Sequence, residues 1–422
     1  MKLFDNIHGY IEIDPIAQSI INTPVFQRLR EIHQTGVLYL VFPTANHSRF
    51  EHSIGTYHLA KKMITNIAKT QPDLFQSELI AEEIIIIVSI AALCHDLGHL
   101  LFSHLFDDLF LPTLPNYKTL LEQTNNIYHE ARSIYLLEYI VETYKVNISK
   151  PQLFIISDLI YPSRSEYAKW ESKYRVGKWI FQIVSNPINS VDVDKFDYLT
   201  RDTRAVGLKI GFNYDRIISD ARIIDNKICY STQSADDLYQ MFFIRYRLHR
   251  QIYNHKTVKS IEILILKILS ELESSYSISE TITDPDKMIK LCDSFIWESA
   301  HPYPSQLHQD LLMQIHTRKI PKLVYESIST SEVEFDEDKL LDVFPKDSYK
   351  IIRFKVGYIG GSGTNPLNRI TFYNTKSNQI VSENKVKNFS LFLNQKFQEY
   401  FLRVYCTNLT LIDQFKEYFE KI

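Results

Sequence analysis

The chain has 422 residues, with 47 basic and 50 acidic side chains, 45% apolar and 23% charged residues, 11 glycines and 15 prolines. That size and balance exclude a staple-dependent mini-protein, a disordered or fibrous chain, and a global field that recruits polyanions, so any phosphate or nucleic-acid contact must come from a local patch. Four scattered cysteines, Cys94, Cys229, Cys292 and Cys406, argue for a reducing compartment and against a thiolate zinc cluster.

The first residues, Met1-Lys2-Leu3-Phe4-Asp5, carry neither a signal peptide's apolar region nor a transit peptide's basic face. The longest apolar run, Ile84 to Leu93, is too short to cross a bilayer, so a soluble cytoplasmic protein is expected. From Pro15 to about Ile268 apolar residues recur at three- and four-residue spacing, as in Val25, Leu29, Ile32 and in Ile84, Val88, Ala91, Ala92, which predicts helices packed on helices. Asp14-Pro15 and Thr23-Pro24 place proline at first helical positions, and breakers fall at Pro72, Pro112 to Pro115, Pro162-Ser163 and Asn186-Pro187. Thr283-Asp284-Pro285 opens a helix expected to run to Trp297, and another is expected around Leu307 to Thr317.

After Asp342 the period changes to two. Tyr349 to Val356 and Arg369 to Tyr373 read as strands joined by a loop containing Gly357, Gly360, Gly361 and Gly363. No Lys-Ser/Thr follows these glycines, so a hairpin loop is favoured over a phosphate cradle. A strand over Phe401 to Tyr405 and a helix over Leu411 to Phe419 end the chain. The expected fold is mainly α: an all-helical core over 1–300 and a small α+β lobe over 301–422.

The chemistry concentrates in Cys94-His95-Asp96-Leu97-Gly98-His99, followed by Phe102-Ser103-His104 and Asp107, at the end of a strongly apolar helix. Burying these histidines and aspartates beside hydrocarbon is expensive unless they bind something, and a metal removes the cost. His95 and Asp96 are two ligands and cannot close a site. His52, in Arg49-Phe50-Glu51-His52-Ser53, and Asp194, in Val191-Asp192-Val193-Asp194-Lys195, are the candidates to complete it. A two-nitrogen, two-carboxylate set suits Mn, Fe, Co, Ni or Zn, with open positions for water and a phosphoryl oxygen. The bland alternative is a hydrogen-bonded His95–Asp96 core pair. Arg49 precedes His52 by three residues, and Lys195 and Tyr198 follow Asp194 by one and four, all within reach of metal-bound phosphates. Arg245, His249, Tyr253 and Lys256 recur at helical spacing and are expected to line one helix face, which can also be read as a solvated basic face or an RNA-binding stripe.

Together these motifs resemble the HD-domain phosphohydrolases, and within them the SAM- and HD-domain deoxynucleoside triphosphate triphosphohydrolases. Lys2-Leu3-Phe4, Ile7-His8-Gly9, Phe26-Gln27-Arg28-Leu29-Arg30, Val41-Phe42-Pro43, Leu248-His249-Arg250, Asn365-Pro366, Phe372-Tyr373 and Arg403-Val404-Tyr405-Cys406 extend the resemblance nearly end to end. The SAM module is expected to be absent, since the chain opens at the edge of the catalytic domain. The resemblance implies hydrolysis of a deoxynucleoside triphosphate at its α-phosphorus, with one divalent transition metal and Mg accompanying the nucleotide. It implies His129 as catalytic acid, Asp107 as the carboxylate orienting it, and His99 and His104 as contacts to the reacting phosphate. Asp202 and Arg245 then lie near the sugar hydroxyl, Tyr253 against the sugar ring, and Gln34 near sugar and base.

The family's pattern is broken at several positions. Thr35 stands where the family has a leucine beside the sugar, and its hydroxyl can tolerate a polar group that leucine excludes. A first regulatory nucleotide site is matched by Gln27, Arg30, Arg318 and Lys322, with Asn22 in place of the guanine-reading aspartate. At a second such site Arg216 matches, while Ser231 and Gln233 replace two basic residues. A GTP-like activator and a dimeric or tetrameric assembly through the C-terminal lobe are expected, with weakened control. The alternatives are an HD-type hydrolase of another nucleotide or nucleic-acid phosphoester, and a nucleotide- or nucleic-acid-binding protein with little turnover.

Overall fold

A computed structural model describes residues 1–162, 177–297, 305–359, 363–381 and 396–421. The chain is mainly helical, as expected, and its long helices are those with the clearest apolar period. Arg49–Thr70 is opened by a reciprocal cap, in which Ser48 and Glu51 each bond the other's backbone. Glu78–Cys94 is almost continuously apolar, and its last eleven residues are nearly all buried. Both pack in one large core with His129–Thr143, Lys150–Ile160, Val193–Ala205, Ala235–Arg247 and Lys256–Tyr276. No described helix is long and apolar enough to cross a membrane.

Short strands interrupt the helical region. β1 (Lys2–Asp5) and β2 (Gly9–Glu12) form an antiparallel hairpin. β3 (Arg222–Ile224) and β4 (Lys227–Ser231) form another, turned at Asp225 and Asn226 with φ of 50° and 60°. Two successive left-handed residues of this type are what a two-residue hairpin turn requires.

Beyond residue 305, helix Gln306–His316 is followed by β5 (Lys322–Ser329), β6 (Tyr349–Gly357), β7 (Phe372–Tyr373) and β8 (Gln398–Cys406). β8 is the centre of an antiparallel sheet in the order β5-β8-β6. Helix Ile412–Glu420 covers one face of it, closing a small second core around Leu340, Phe344, Leu402, Val404 and Phe415. Phe344 and Phe415 stack there at 3.7 Å.

Three expectations are corrected. The loop after Gly357 is no hairpin: β6 pairs with β8 along its whole length, whereas β7 pairs in parallel with β4. Alternation marks a strand but does not name its partner. The helix expected to run to Trp297 is broken into the single turns Pro285–Met288 and Ser294–Trp297, because Asp293 between them turns inward to accept the backbone N–H of Phe102 and of His33. The face expected for Arg245 to Lys256 is also divided. Ala235–Arg247 gives way to a π-helical turn at Leu248–Tyr253, and Lys256 begins the next helix. The boundary expected near residue 300, and Gly360 and Gly361, lie outside the described residues.

Candidate active site

The helices Arg49–Thr70, Glu78–Cys94 and Val193–Ala205 bring His52, His95, Asp96 and Asp194 together. His52 Nε2 lies 3.1 Å from Asp194 Oδ1 and 3.4 Å from Asp96 Oδ2. His95 Nε2 lies 3.4 Å from Asp96 Oδ1 and 3.5 Å from Asp194 Oδ1. Each imidazole spends its other nitrogen elsewhere: His52 Nδ1 bonds Asp197 Oδ2 at 2.8 Å, and His95 Nδ1 bonds the Ala92 carbonyl at 2.7 Å. If both Nδ1 atoms donate, both Nε2 atoms carry lone pairs aimed at the carboxylates, and both are buried outside hydrogen-bond geometry. Two inward lone pairs between two carboxylates fit a divalent transition cation and fit a core hydrogen-bonded pair poorly. Without a cation the same crowding favours a proton. Burial opposes charge on His52, yet Asp194 and Asp197 push its pKa up to about 10.

Asp197 is the main residue that sequence reasoning passed over. Its buried carboxylate takes His52 on one oxygen and His8 on the other, and Arg201 bonds both oxygens at 2.9 Å. Its only signal is its place three residues after Asp194, on the same helical face.

The second cluster is held by a strained turn. Phe102 and Ser103 are both left-handed, with φ of 54° and 56°, at a cost of about 1–3 kcal/mol each. Asp293 accepts the Phe102 N–H at 2.6 Å, and Ser103 Oγ donates to the His33 carbonyl at 2.8 Å, which keeps the turn in place. Gly98 lets the helix His129–Thr143 approach, since a Cβ there would fall 2.1 Å from the His129 carbonyl oxygen. The result groups His99, His104 and His129, with Asp107 Oδ2 3.3 Å from His129 Nδ1 and 3.5 Å from His99 Nδ1. Arg132, fully buried, bonds the other oxygen of Asp107. Burial disfavours a charged Asp107, but Arg132 holds it well below the carboxylate range.

The three histidines are close enough to suggest a second metal site. His99 and His129 are stacked, however, with centroids 3.9 Å and planes only 17° apart, so their in-plane lone pairs lie in two separate, nearly parallel planes, a poor arrangement for sharing one ion. His104 is largely exposed and faces Asp108 at 3.3 Å.

Both clusters open into one cavity of about 560 Å³, within the size range of small-molecule sites. It is lined by His95, Asp96, Asp194, His99, His104 and His129, and by the expected substrate contacts Gln34, Thr35, Arg49, Lys195, Tyr198, Asp202, Arg245, His249 and Tyr253. His52 and Asp107 stand behind this lining. Lys256 is not part of the lining; Lys259, paired with Glu262 at 2.7 Å, takes that side.

Several contacts are already engaged. Arg49 bonds Asp96 and, at 2.9 Å, Ser103 Oγ; Lys195 bonds the helix-capping Asp192 at 2.9 Å. Tyr253 donates to Asp202 Oδ2 at 2.5 Å, and His47 bonds the other oxygen at 2.7 Å. Arg245 donates to the Gly357 carbonyl at 3.0 Å, which ties the end of β6 to the cavity wall. Thr35 Oγ1 and Gln34 Oε1 are buried in the lining with no bonded partner among the described residues.

The expected regulatory residues lie away from this cavity. Gln27 accepts from Arg30 at 2.9 Å, Arg318 donates to the Leu40 carbonyl at 2.6 Å, and Asn22 and Lys322 are exposed. Arg216 faces Asp237 at 3.6 Å, and Gln233 contacts Thr375 at 3.5 Å.

The HD domain family matches residues 49–158, a span that holds His52, His95 and Asp96 and stops short of Asp194. An HD domain-containing protein of Acanthamoeba polyphaga mimivirus is 34% identical over 449 residues, covering 98% of this chain and 93% of that protein. The deoxynucleoside triphosphate triphosphohydrolase SAMHD1 homolog of Dictyostelium discoideum is 34% identical over 430 residues, covering 99% of this chain and 79% of that protein. The deoxynucleoside triphosphate triphosphohydrolase SAMHD1 of Homo sapiens is 34% identical over 450 residues, covering 95% of this chain and 70% of that protein.

Proposed function

This chain belongs to the SAMHD1-related HD-domain phosphohydrolases, and from that premise we propose that it hydrolyses deoxynucleoside triphosphates at the α-phosphorus, releasing deoxynucleoside and tripolyphosphate. The observation that carries this reading is the pair of buried Nε2 atoms of His52 and His95, aimed between Asp96 and Asp194 in a cavity that also holds His129.

His52, His95, Asp96 and Asp194 would hold a divalent transition metal, which when bound would supply Lewis acidity for phosphoryl and water chemistry. Arg49, fixed by Asp96 and Ser103, keeps a guanidinium beside the phosphates without a further search for its rotamer. Lys195 and Tyr198 face the same space from the Asp194 helix. Tripolyphosphate leaves the 5′ oxygen of the sugar as a poor alkoxide, so that oxygen needs a proton. His129 is the donor: burial disfavours its charge, but Asp107 raises its pKa above the ordinary histidine value. His99, against which it stacks, is held neutral, because burial and the charges of Arg49 and His129 lower its pKa to about 3. His99 and the exposed His104 contact the reacting phosphate, while Asp202, Tyr253, Arg245 and His249 surround the sugar.

A guanine-type nucleotide at Asn22, Gln27, Arg30, Arg318 and Lys322, acting on a homo-oligomer, completes the reading. Ser231 and Gln233 make the site beside Arg216 a weak one. The test is incubation with the four dNTPs and the matching NTPs and Mn²⁺, with and without GTP, followed by chromatography. Tripolyphosphate and deoxynucleoside are expected; orthophosphate or a nucleoside monophosphate assigns the site to another phosphoester.

A further inference from the structure

The turn of the β1–β2 hairpin reaches the back of the candidate metal site. Asp5 shapes that turn, one carboxylate oxygen accepting the N–H groups of Ile7 and His8 at 2.8 and 2.9 Å. Its other oxygen accepts from Arg201 Nη1 at 2.9 Å. His8 is thereby delivered to Asp197, with its ring almost completely buried and Nε2 2.7 Å from Oδ1. Tyr214 lies 3.3 Å from the other ring nitrogen, which fits Tyr214 donating to Nδ1 and His8 Nε2 donating to Asp197.

Asp197 is the carboxylate that aims His52. Four N–H groups converge on it, from His8, from His52 and twice from Arg201, and the space beside it is full. A Cβ on Gly55, one helical turn after His52, would fall 1.9 Å from Asp197 Oδ1. Removing His8 leaves Oδ1 to Arg201 alone, and the carboxylate then rotates toward the guanidinium and away from the angle that points His52 Nε2 inward.

We infer that His8 is a positioning residue for the metal, acting through Asp197 on His52, so that the seating of the N-terminal hairpin sets how tightly the cation is held. This rests on the functional reading above. The juxtaposition is specific: a turn at residues 5–9, a proposed ligand at 52 and a carboxylate at 197 meet in one buried chain of hydrogen bonds.

The experiment measures Mn²⁺ affinity by competition with a fluorescent chelator, using the full chain and its His8→Ala and His8→Gln variants. Partners of metal ligands typically contribute roughly 10- to 100-fold in affinity. His8→Ala is expected to weaken Mn²⁺ by about tenfold, and His8→Gln, whose amide nitrogen replaces Nε2–H, to recover most of it. If His8→Ala fails to fold, Asp5→Asn, which disturbs both the turn that presents His8 and the Arg201 contact, provides a second measurement with a smaller loss expected. Unchanged Mn²⁺ affinity in the folded variant overturns the inference alone. So does an equal loss in both His8 variants accompanied by an equal fall in metal-free Tm. A parent chain that binds no Mn²⁺ overturns the functional reading as well.

Discussion

His129 lies flat against His99, ring centroids 3.9 Å apart, yet the two imidazoles are driven in opposite directions. Burial with the charges of Arg49 and His129 lowers His99 to about 3, while Asp107 carries His129 above its ordinary value. On the proposed mechanism, this separation divides acid work at His129 from neutral contact work at His99.

A donor must be protonated to act, so kcat should fall as pH rises through the raised value of His129, with the alkaline limb above 6.5. His129→Gln should lower kcat roughly 100- to 10,000-fold and leave Mn²⁺ content unchanged. A pH–rate profile beside elemental analysis checks both halves.

Asp107→Asn removes the group that raises His129, so the alkaline limb should move toward lower pH. It also strands the buried Arg132, and a broken buried pair costs about 3–5 kcal/mol, readable as a lower urea midpoint. In the parent chain the Asp107 pKa is depressed in the folded state. Its contribution is therefore present above the unfolded carboxylate value, about 3.9, and is lost as pH falls through the folded one.

Thr35 places a buried hydroxyl in the cavity wall with no bonded partner among the described residues. A ribonucleotide's 2′ hydroxyl can bond to it, a contribution of about 1 kcal/mol or fivefold. Thr35→Val should lower kcat/KM for NTPs by that factor relative to dNTPs; an unchanged ratio places the sugar elsewhere.

Asp293 touches no proposed ligand, but it holds the left-handed Phe102–Ser103 turn through the Phe102 N–H. Asp293→Ala should release the turn, shift His104 and Ser103, and lower kcat by about 100-fold while Mn²⁺ affinity is retained, since misplacement by an ångström is enough.

Much of this was legible from residue type and spacing. The helical periods of Arg49–Thr70 and Glu78–Cys94 are strong because each buries an apolar face, and spacing together with the resemblance supplied most of the ionisable side chains that line the cavity. Other features leave no local pattern. Asp197 and Arg132 matter through partners far along the chain, and the positive φ at Phe102 and Ser103 is imposed by Asp293 from 191 residues away. Strand β5 was missed because its residues are mostly half-exposed and alternate weakly. The π-helical turn at Leu248–Tyr253 displaced Lys256 because four-residue spacing assumes an unbroken α-helix.

The most direct test of the central claim is turnover in ¹⁸O-labelled water with Mn²⁺, followed by mass spectrometry of both products. Attack at the α-phosphorus with protonation of the 5′ oxygen predicts a single ¹⁸O in tripolyphosphate and none in the deoxynucleoside. Label in the deoxynucleoside, in orthophosphate or in a nucleoside monophosphate would contradict it.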